Sequence, residues 1–165
     1  MSTKFRLNDV YSDDRTPLLQ IKIDDSAVAL SNIFESNKGI KLEDAYYFCS
    51  KIPSTTQSAI AIFRYTNLMS SSDNSMSSDI LSSAKGLKNT SYMFYSANLW
   101  GTFPSAILQS CSKLENVSNM FKLNQFEQLS GDFAEKLFES NRSLKNCSNF
   151  LGDNYRLTTT DSAPV

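Results

Sequence analysis

Leu137-Phe138-Glu139-Ser140-Asn141-Arg142-Ser143-Leu144 is nearly repeated far upstream as Ile33-Phe34-Glu35-Ser36-Asn37-Lys38-Gly39-Ile40, and weaker copies lie between the two. Self-similarity of this kind marks a chain built from repeats. Aligned on the leucine that closes each block, Leu87, Leu114 and Leu144 stand 27 and 30 residues apart, the length of one supersecondary unit. Ahead of the leucine comes an apolar pair (Ile80-Leu81, Ile107-Leu108, Leu137-Phe138) and then a small or polar residue (Ala84, Cys111, Asn141). Behind it, always at the same distance, comes a second bulky pair: Met93-Phe94, Met120-Phe121, Phe150-Leu151. The stretches 95–103 and 122–133 fall outside this frame and read as insertions.

A unit of this size cannot bury its own apolar residues, so neighbours must stack and merge their leucines and Met/Phe pairs into one core. Each fully buried large apolar side chain contributes roughly 1.5 to 3 kcal/mol, which offsets chain ordering only when an adjacent unit covers it. Residues 105–112 and 134–141 lack internal Gly or Pro and space apolar residues three and four apart, which predicts helices of about two turns. Pro104 suits the start of the first, and Asp132 is a cap or dipole partner for the second. Residues 88–91, 115–118 and 145–148 are polar, too short for helices, and predicted as short strands. Each unit is then helix, turn, strand, turn, an α/β repeat. Residues 30–151 form the repeat region. Residues 1–29, with the alternating Leu19-Gln20-Ile21-Lys22-Ile23, are expected to supply an N-terminal cap or strand, and residues 152–165 a tail or connector.

Composition narrows the function classes. The chain has 165 residues, 41% hydrophobic and 12% aromatic, enough for one well-filled domain. With 16 basic and 17 acidic residues the net charge is −1, and no basic cluster appears, so no nucleic-acid partner is expected. Neither a signal peptide nor a membrane span can be drawn, and a soluble chain outside the conventional secretion route is expected. Histidine is absent, which removes Ser-His and Cys-His nucleophilic pairs and His metal ligands. Cys49, Cys111 and Cys147 lack metal-ligand spacing, and two of them occupy repeat positions, so small residues in or near the core are expected. Asp79, Glu115, Asp132 and Glu135 are single acids without an activating neighbour. A non-enzymatic chain without metal or cofactor is the expectation, with a carboxylate-dependent hydrolase as the enzymatic alternative. Asn-x-Ser triplets begin at Asn89, Asn116, Asn141 and Asn146, and three share one repeat position. An Asn there is expected to bond turn backbone in each unit.

The run Tyr92-Met93-Phe94, Gly101-Thr102-Phe103-Pro104, then Leu108-x-x-Cys111-x-x-Leu114-x-x-Val117-Ser118-Asn119-Met120-Phe121 resembles the BspA-like bacterial leucine-rich repeats, whose units read F-x-x-C-x-x-L and N-V-S-x-M-F. The resemblance covers about residues 30 to 151 and is strongest from 76 onward. It implies a leucine-rich-repeat-like, right-handed solenoid with short strands on one face, and a family that works by binding, as adhesins or surface proteins. Such repeats are also similar to those of structural and host-contacting proteins of tailed phages. The resulting expectation is a protein-interaction module in a phage virion (fibre, tail or baseplate) assembled in the host cytoplasm. Its partners would be other subunits or a cell-surface ligand, and the alternative is a domain of a bacterial surface adhesin. Lys88, Ser91, Glu115, Ser118, Lys145 and Ser148 line the predicted strand face and are the candidate contact residues.

Overall fold

The structure is a computed structural model and describes residues 22–69, 75–131 and 133–158. Most of the Leu19–Ile23 alternation, residues 70–74, Asp132 and the end of the tail lie outside the described residues. Five rungs define the architecture. Ala29 of strand β1 (Ala29–Ser31) pairs with Ser58 of strand β2 (Ser58–Ile60). Ser58 pairs in turn with Asn89, Asn89 with Asn116, and Asn116 with Asn146, every pair parallel. The chain thus lays down five successive layers side by side.

Each layer bends at the same two places. Three residues after the rung and again four residues later the backbone takes a positive φ: Asn32 and Ser36, Ala61 and Tyr65, Tyr92 and Ser96, Asn119 and Leu123, Asn149 and Asp153. Residues with a Cβ disfavour this region, at a cost of order 1–3 kcal/mol each, so ten of them in register require a compensating interaction. It lies in the hydrogen bonds between layers. In the fourth layer the amides of Val117, Asn119, Phe121 and Leu123 donate to the carbonyls of Asn146, Ser148, Phe150 and Gly152 in the fifth, all at 2.9 Å. Thr90, Tyr92, Phe94 and Ser96 donate likewise to Asn116, Ser118, Met120 and Lys122, and Ala59, Ala61, Phe63 and Tyr65 to Asn89, Ser91, Met93 and Tyr95. Alternate amides point forward and the intervening carbonyls point back.

The middle residue of the bend, two past the first left-handed position, forms the core. Phe34, Phe63, Phe94 and Phe121 stack nearly face to face at 5.5, 5.2 and 5.2 Å between neighbours. Leu87 and Leu114, on the opposite side of each rung, are fully buried. Gly86 sits where one layer crosses the last so closely that a Cβ would lie 2.0 Å from the Ser54 carbonyl oxygen, which only glycine permits. Asn124 is a buried polar clamp. Its Nδ2 donates to the carbonyls of Phe94 and Phe121 at 2.9 Å each, and its Oδ1 accepts the amides of Ala97 and Leu99 at 3.1 and 3.0 Å.

Several expectations are corrected here. The helix expected over 105–112 is a single 3-10 turn, Ser105–Leu108, and that over 134–141 is the four-residue α2, Phe133–Lys136. Carbonyls beyond the first turn are occupied by the next layer instead: the Asn141 Nδ2 reaches the carbonyls of Leu108 and Cys111 at 3.2 and 2.8 Å. Cys111 takes the same position one layer back, its thiol facing the carbonyls of Leu81 and Ala84. The only full helix among the described residues is α1, Leu42–Ser50, started by Asp44, whose carboxylate accepts the Lys41 amide at 2.8 Å, with Glu43 also in the first turn. Expected strands at 88–91, 115–118 and 145–148 shrink to one rung each, because the left-handed residue follows three positions on. The two apparent insertions pair with each other as parallel strands β3 (Trp100–Phe103) and β4 (Gln125–Leu129). From β3, Phe103 meets Phe121, Phe126, Phe133 and Phe150 edge-on at 5.1 to 5.9 Å. Finally, the block 33–40 is not the structural counterpart of 137–144. Phe34 stacks on Phe63 and donates to the Ile62 carbonyl, so Ile33-Phe34 stands where Met93-Phe94 and Met120-Phe121 do, four residues past the rung. Leu137 lies ahead of its rung, at the end of α2.

Phe121→Ala is expected to cost about 3 to 5 kcal/mol in chemical denaturation, since it opens a cavity inside the aromatic column. A loss under about 1 kcal/mol, the range of surface changes, contradicts this packing. Gly86→Ala is expected to destabilise as strongly as a core truncation, and a melting temperature unchanged from the parent chain contradicts the close crossing.

Candidate functional site

Three of the six candidate contact residues form one row. Lys88, Glu115 and Lys145 each precede the rung asparagine in consecutive layers, and Lys145 Nζ lies 2.6 Å from Glu115 Oε2. The hydrogen bond from Lys145 holds the Glu115 carboxyl below its ordinary value, helped by the charges of Lys145 and Lys88. The pair lies at the surface, Lys145 well exposed and Glu115 partly so, and solvent and salt screen it so that it adds little to stability. The row is an alternating-charge surface.

The serines do not join it. Ser91 and Ser118 are buried, in contrast to the expected exposed face, and only Ser148 is open. Each stands two residues past its rung, and its amide donates to the rung asparagine Oδ1 at 3.0 Å in all three layers. The asparagines therefore close the turn as an Asx motif, the use the repeat position suggested. A following layer shields Ser91 and Ser118. Ser148, in the last described layer, has none.

A second surface is a polar groove of about 380 Å³ lined by Lys38, Thr66, Asn67, Ser96, Asn98, Leu123 and Gln125. Lys38, Asn67, Asn98 and Gln125 share one position, two residues past the second left-handed residue of their layers. Asn98 is spent inside the wall, donating to Asn67 Oδ1 and the Met69 carbonyl and accepting from Trp100 Nε1 at 2.9 Å. The Arg156 guanidinium covers the Trp100 ring at 4.6 Å. The four recur at the same steps as the rungs, yet their residue types vary, so no repeated letter marked this groove in the sequence.

The thiols offer no nucleophile among the buried positions. Burial pushes Cys111 up to about 12 and raises Cys49 further, so both remain protonated at neutral pH. Cys147, expected in or near the core, is exposed. Among the described residues no group of three or more His, Cys, Asp or Glu could hold a metal, and no helix is long and apolar enough to cross a membrane. Asp79 lies in a 3-10 turn (Ser78–Leu81), Glu115 in the charged row and Glu135 in α2.

The third surface is the outer side of the fifth layer. The amides of Cys147, Asn149, Leu151 and Asp153, counterparts of the forward donors in every other layer, bond to nothing among the described residues. Phe138 is 36% exposed where its counterparts Leu81 and Leu108 are fully buried. Leu144 and Leu151 are half-buried where Leu87, Leu114, Phe94 and Phe121 are closed. Asn154 repeats the Asn124 clamp toward Phe121 and Leu151, yet its Oδ1 is buried and unpartnered, as is that of Asn141. An unmet buried acceptor of this kind costs about 1–3 kcal/mol.

The Glu115 carboxyl is expected to titrate below the ordinary glutamate value of 4.5 in an NMR titration, and to rise toward it in Lys145→Met. Because the value is lowered, the pair's small stabilising contribution is fully present above the ordinary carboxyl value and is lost as pH falls through the lowered one. An unchanged midpoint in Lys145→Met contradicts the row.

Comparison with protein-family models, with curated proteins and with solved structures returned no match, so the chain stands on its own residues and geometry.

Proposed function

We propose that this chain is a leucine-rich-repeat-like, right-handed solenoid that works as a non-enzymatic protein-interaction module, a structural or host-contacting component of a phage virion assembled in the host cytoplasm. The observation that carries the reading is the fifth layer. It keeps the donor pattern and the core positions of the layers before it, but no described residue covers them, as in a surface built to be continued by another backbone. Exposed apolar positions beside an unsatisfied backbone edge favour association, because both the apolar area and the amides gain by it. The charged row Lys88, Glu115 and Lys145 reaches the fifth layer at Lys145 and would set register with a partner rather than supply affinity. The phage assignment comes from the resemblance of Tyr92-Met93-Phe94 and Leu108 to Phe121 to repeats of that kind. The same resemblance supports a bacterial surface adhesin as the second reading.

Fractionation of the native source, with this chain located by peptide mass spectrometry, separates the two readings. The expected result is recovery at stoichiometric levels in purified particles. Recovery with cell envelopes overturns the virion reading in favour of the adhesin. Recovery as a lone monomer in the soluble fraction overturns both. Turnover of a substrate that is lost in Asp132→Asn would replace binding with carboxylate chemistry.

A further inference from the structure

We propose that the fifth layer of one copy stacks on the first layer of a second copy, so that the amides of Cys147, Asn149, Leu151 and Asp153 donate to the neighbour's carbonyls of Ala29, Ser31, Ile33 and Glu35. The proposal rests on the reading of the chain as an interaction module and names the partner.

Backbone polarity decides what can sit on the open edge. In every internal junction the earlier layer donates alternate amides along the bend to carbonyls of the layer after it, at positions shifted by one residue. Two fifth layers face to face would set donors against donors, which excludes a symmetric pairing of the open edges. The occupant has to present carbonyls at alternate residues in the same bend. Among the described residues the first layer of this chain does so. The carbonyls of Ala29, Ser31, Ile33 and Glu35 hold the positions that Asn89, Ser91, Met93 and Tyr95 hold in the third layer, and none accepts a bond among the described residues.

The rest of the junction matches as well. In each internal step one carbonyl before the bend, that of Val28, Gln57, Lys88 or Glu115, accepts two consecutive amides of the following layer. The next in that series, the Lys145 carbonyl, accepts no bond among the described residues, and the amides of Val28 and Ala29 that would meet it donate none among them. Val28 is 56% exposed. Arg142 and Asp25 both stand seven residues before the first left-handed residue of their layers, and neither forms an ion pair with another described residue. Stacking would bring these opposite charges together across the junction. Leu30 and Ile33 are already nearly closed within their own chain. The newly covered apolar surface therefore comes chiefly from Phe138, Leu144, Cys147 and Leu151, and the association is weak and reversible rather than obligate. Because the contact is head-to-tail and carries no closing symmetry, it extends beyond a dimer.

Sedimentation velocity of the full chain from about 10 μM to about 1 mM tests this, a range that spans weak association. The average mass is expected to rise steadily past that of the 18.5 kDa monomer without a plateau at the dimer. Leu151→Glu, at a half-exposed position, is expected to return the monomer at every concentration with its circular dichroism unchanged. Arg142→Asp is expected to weaken association at least severalfold, and Arg142→Asp combined with Asp25→Arg to restore it. The restoration also keeps the test decisive if Leu151→Glu disturbs folding. A constant monomer mass, a plateau at the dimer, or association indifferent to the charge swap overturns self-stacking. If the chain is monomeric yet found in native particles beside a different protein, self-stacking fails while the interaction reading stands. If the chain self-associates but is absent from particles and envelopes alike, the reverse holds.

Discussion

Alternation of backbone direction is the constraint on which everything else depends. Two left-handed residues four positions apart turn every second amide toward the next layer, and the same arrangement recurs five times. Each such residue is unfavourable alone, and most of the ten are not glycine or asparagine. The bend persists because four interlayer hydrogen bonds and a closed aromatic position depend on it at once. It also gives the stack a direction: a donor side and an acceptor side that cannot be exchanged.

Given that direction, the side chains have little freedom. The residue between the two left-handed positions points into the column of Phe34, Phe63, Phe94 and Phe121, where near-parallel rings repeat at a little over 5 Å. The column ends where Phe150 turns edge-on to Phe121 at 5.4 Å and Leu151 takes the phenylalanine position. Polar groups inside the stack are paired layer to layer, as Asn124 and Cys111 illustrate. Two that are not, the oxygens of Asn141 and Asn154, belong to the layer whose forward amides have no partner among the described residues. Stability and association are therefore one problem in this chain: what an inner layer receives from its neighbour, the outer layer lacks.

The layer frame was legible in the sequence wherever large residues mark it. Leu87 and Leu114, with Met93-Phe94 and Met120-Phe121, occupy equivalent buried positions, and the rung asparagines close their turns as their spacing suggested. What was not legible has physical reasons. Thr56 and Ala27 hold the leucine position in the first two layers, so no leucine signal exists there, and the tempting match of 33–40 to 137–144 aligned residues on opposite sides of the rung. Left-handed Ala61, Tyr65 and Tyr92 carry no glycine or asparagine signature. The β3 and β4 pairing was hidden because Trp100–Phe103 and Gln125–Leu129 are joined by contact between layers and not by any repeat in sequence. Of the candidate contacts, Lys88, Glu115 and Lys145 were readable as a row because period alone places them, whereas the burial of Ser91 and Ser118 depends on the covering layer, which no single unit encodes.

Hydrogen exchange of individual amides, followed by NMR in dilute solution, tests the donor-and-acceptor stack most directly. Val117, Asn119, Phe121 and Leu123, together with their third-layer counterparts Thr90, Tyr92, Phe94 and Ser96, are predicted to exchange slowly, near the rate set by global unfolding. Their fifth-layer equivalents Cys147, Asn149, Leu151 and Asp153 are predicted to exchange orders of magnitude faster. Equal protection in the fourth and fifth layers, or fast exchange at Asn119 and Phe121, would contradict the account.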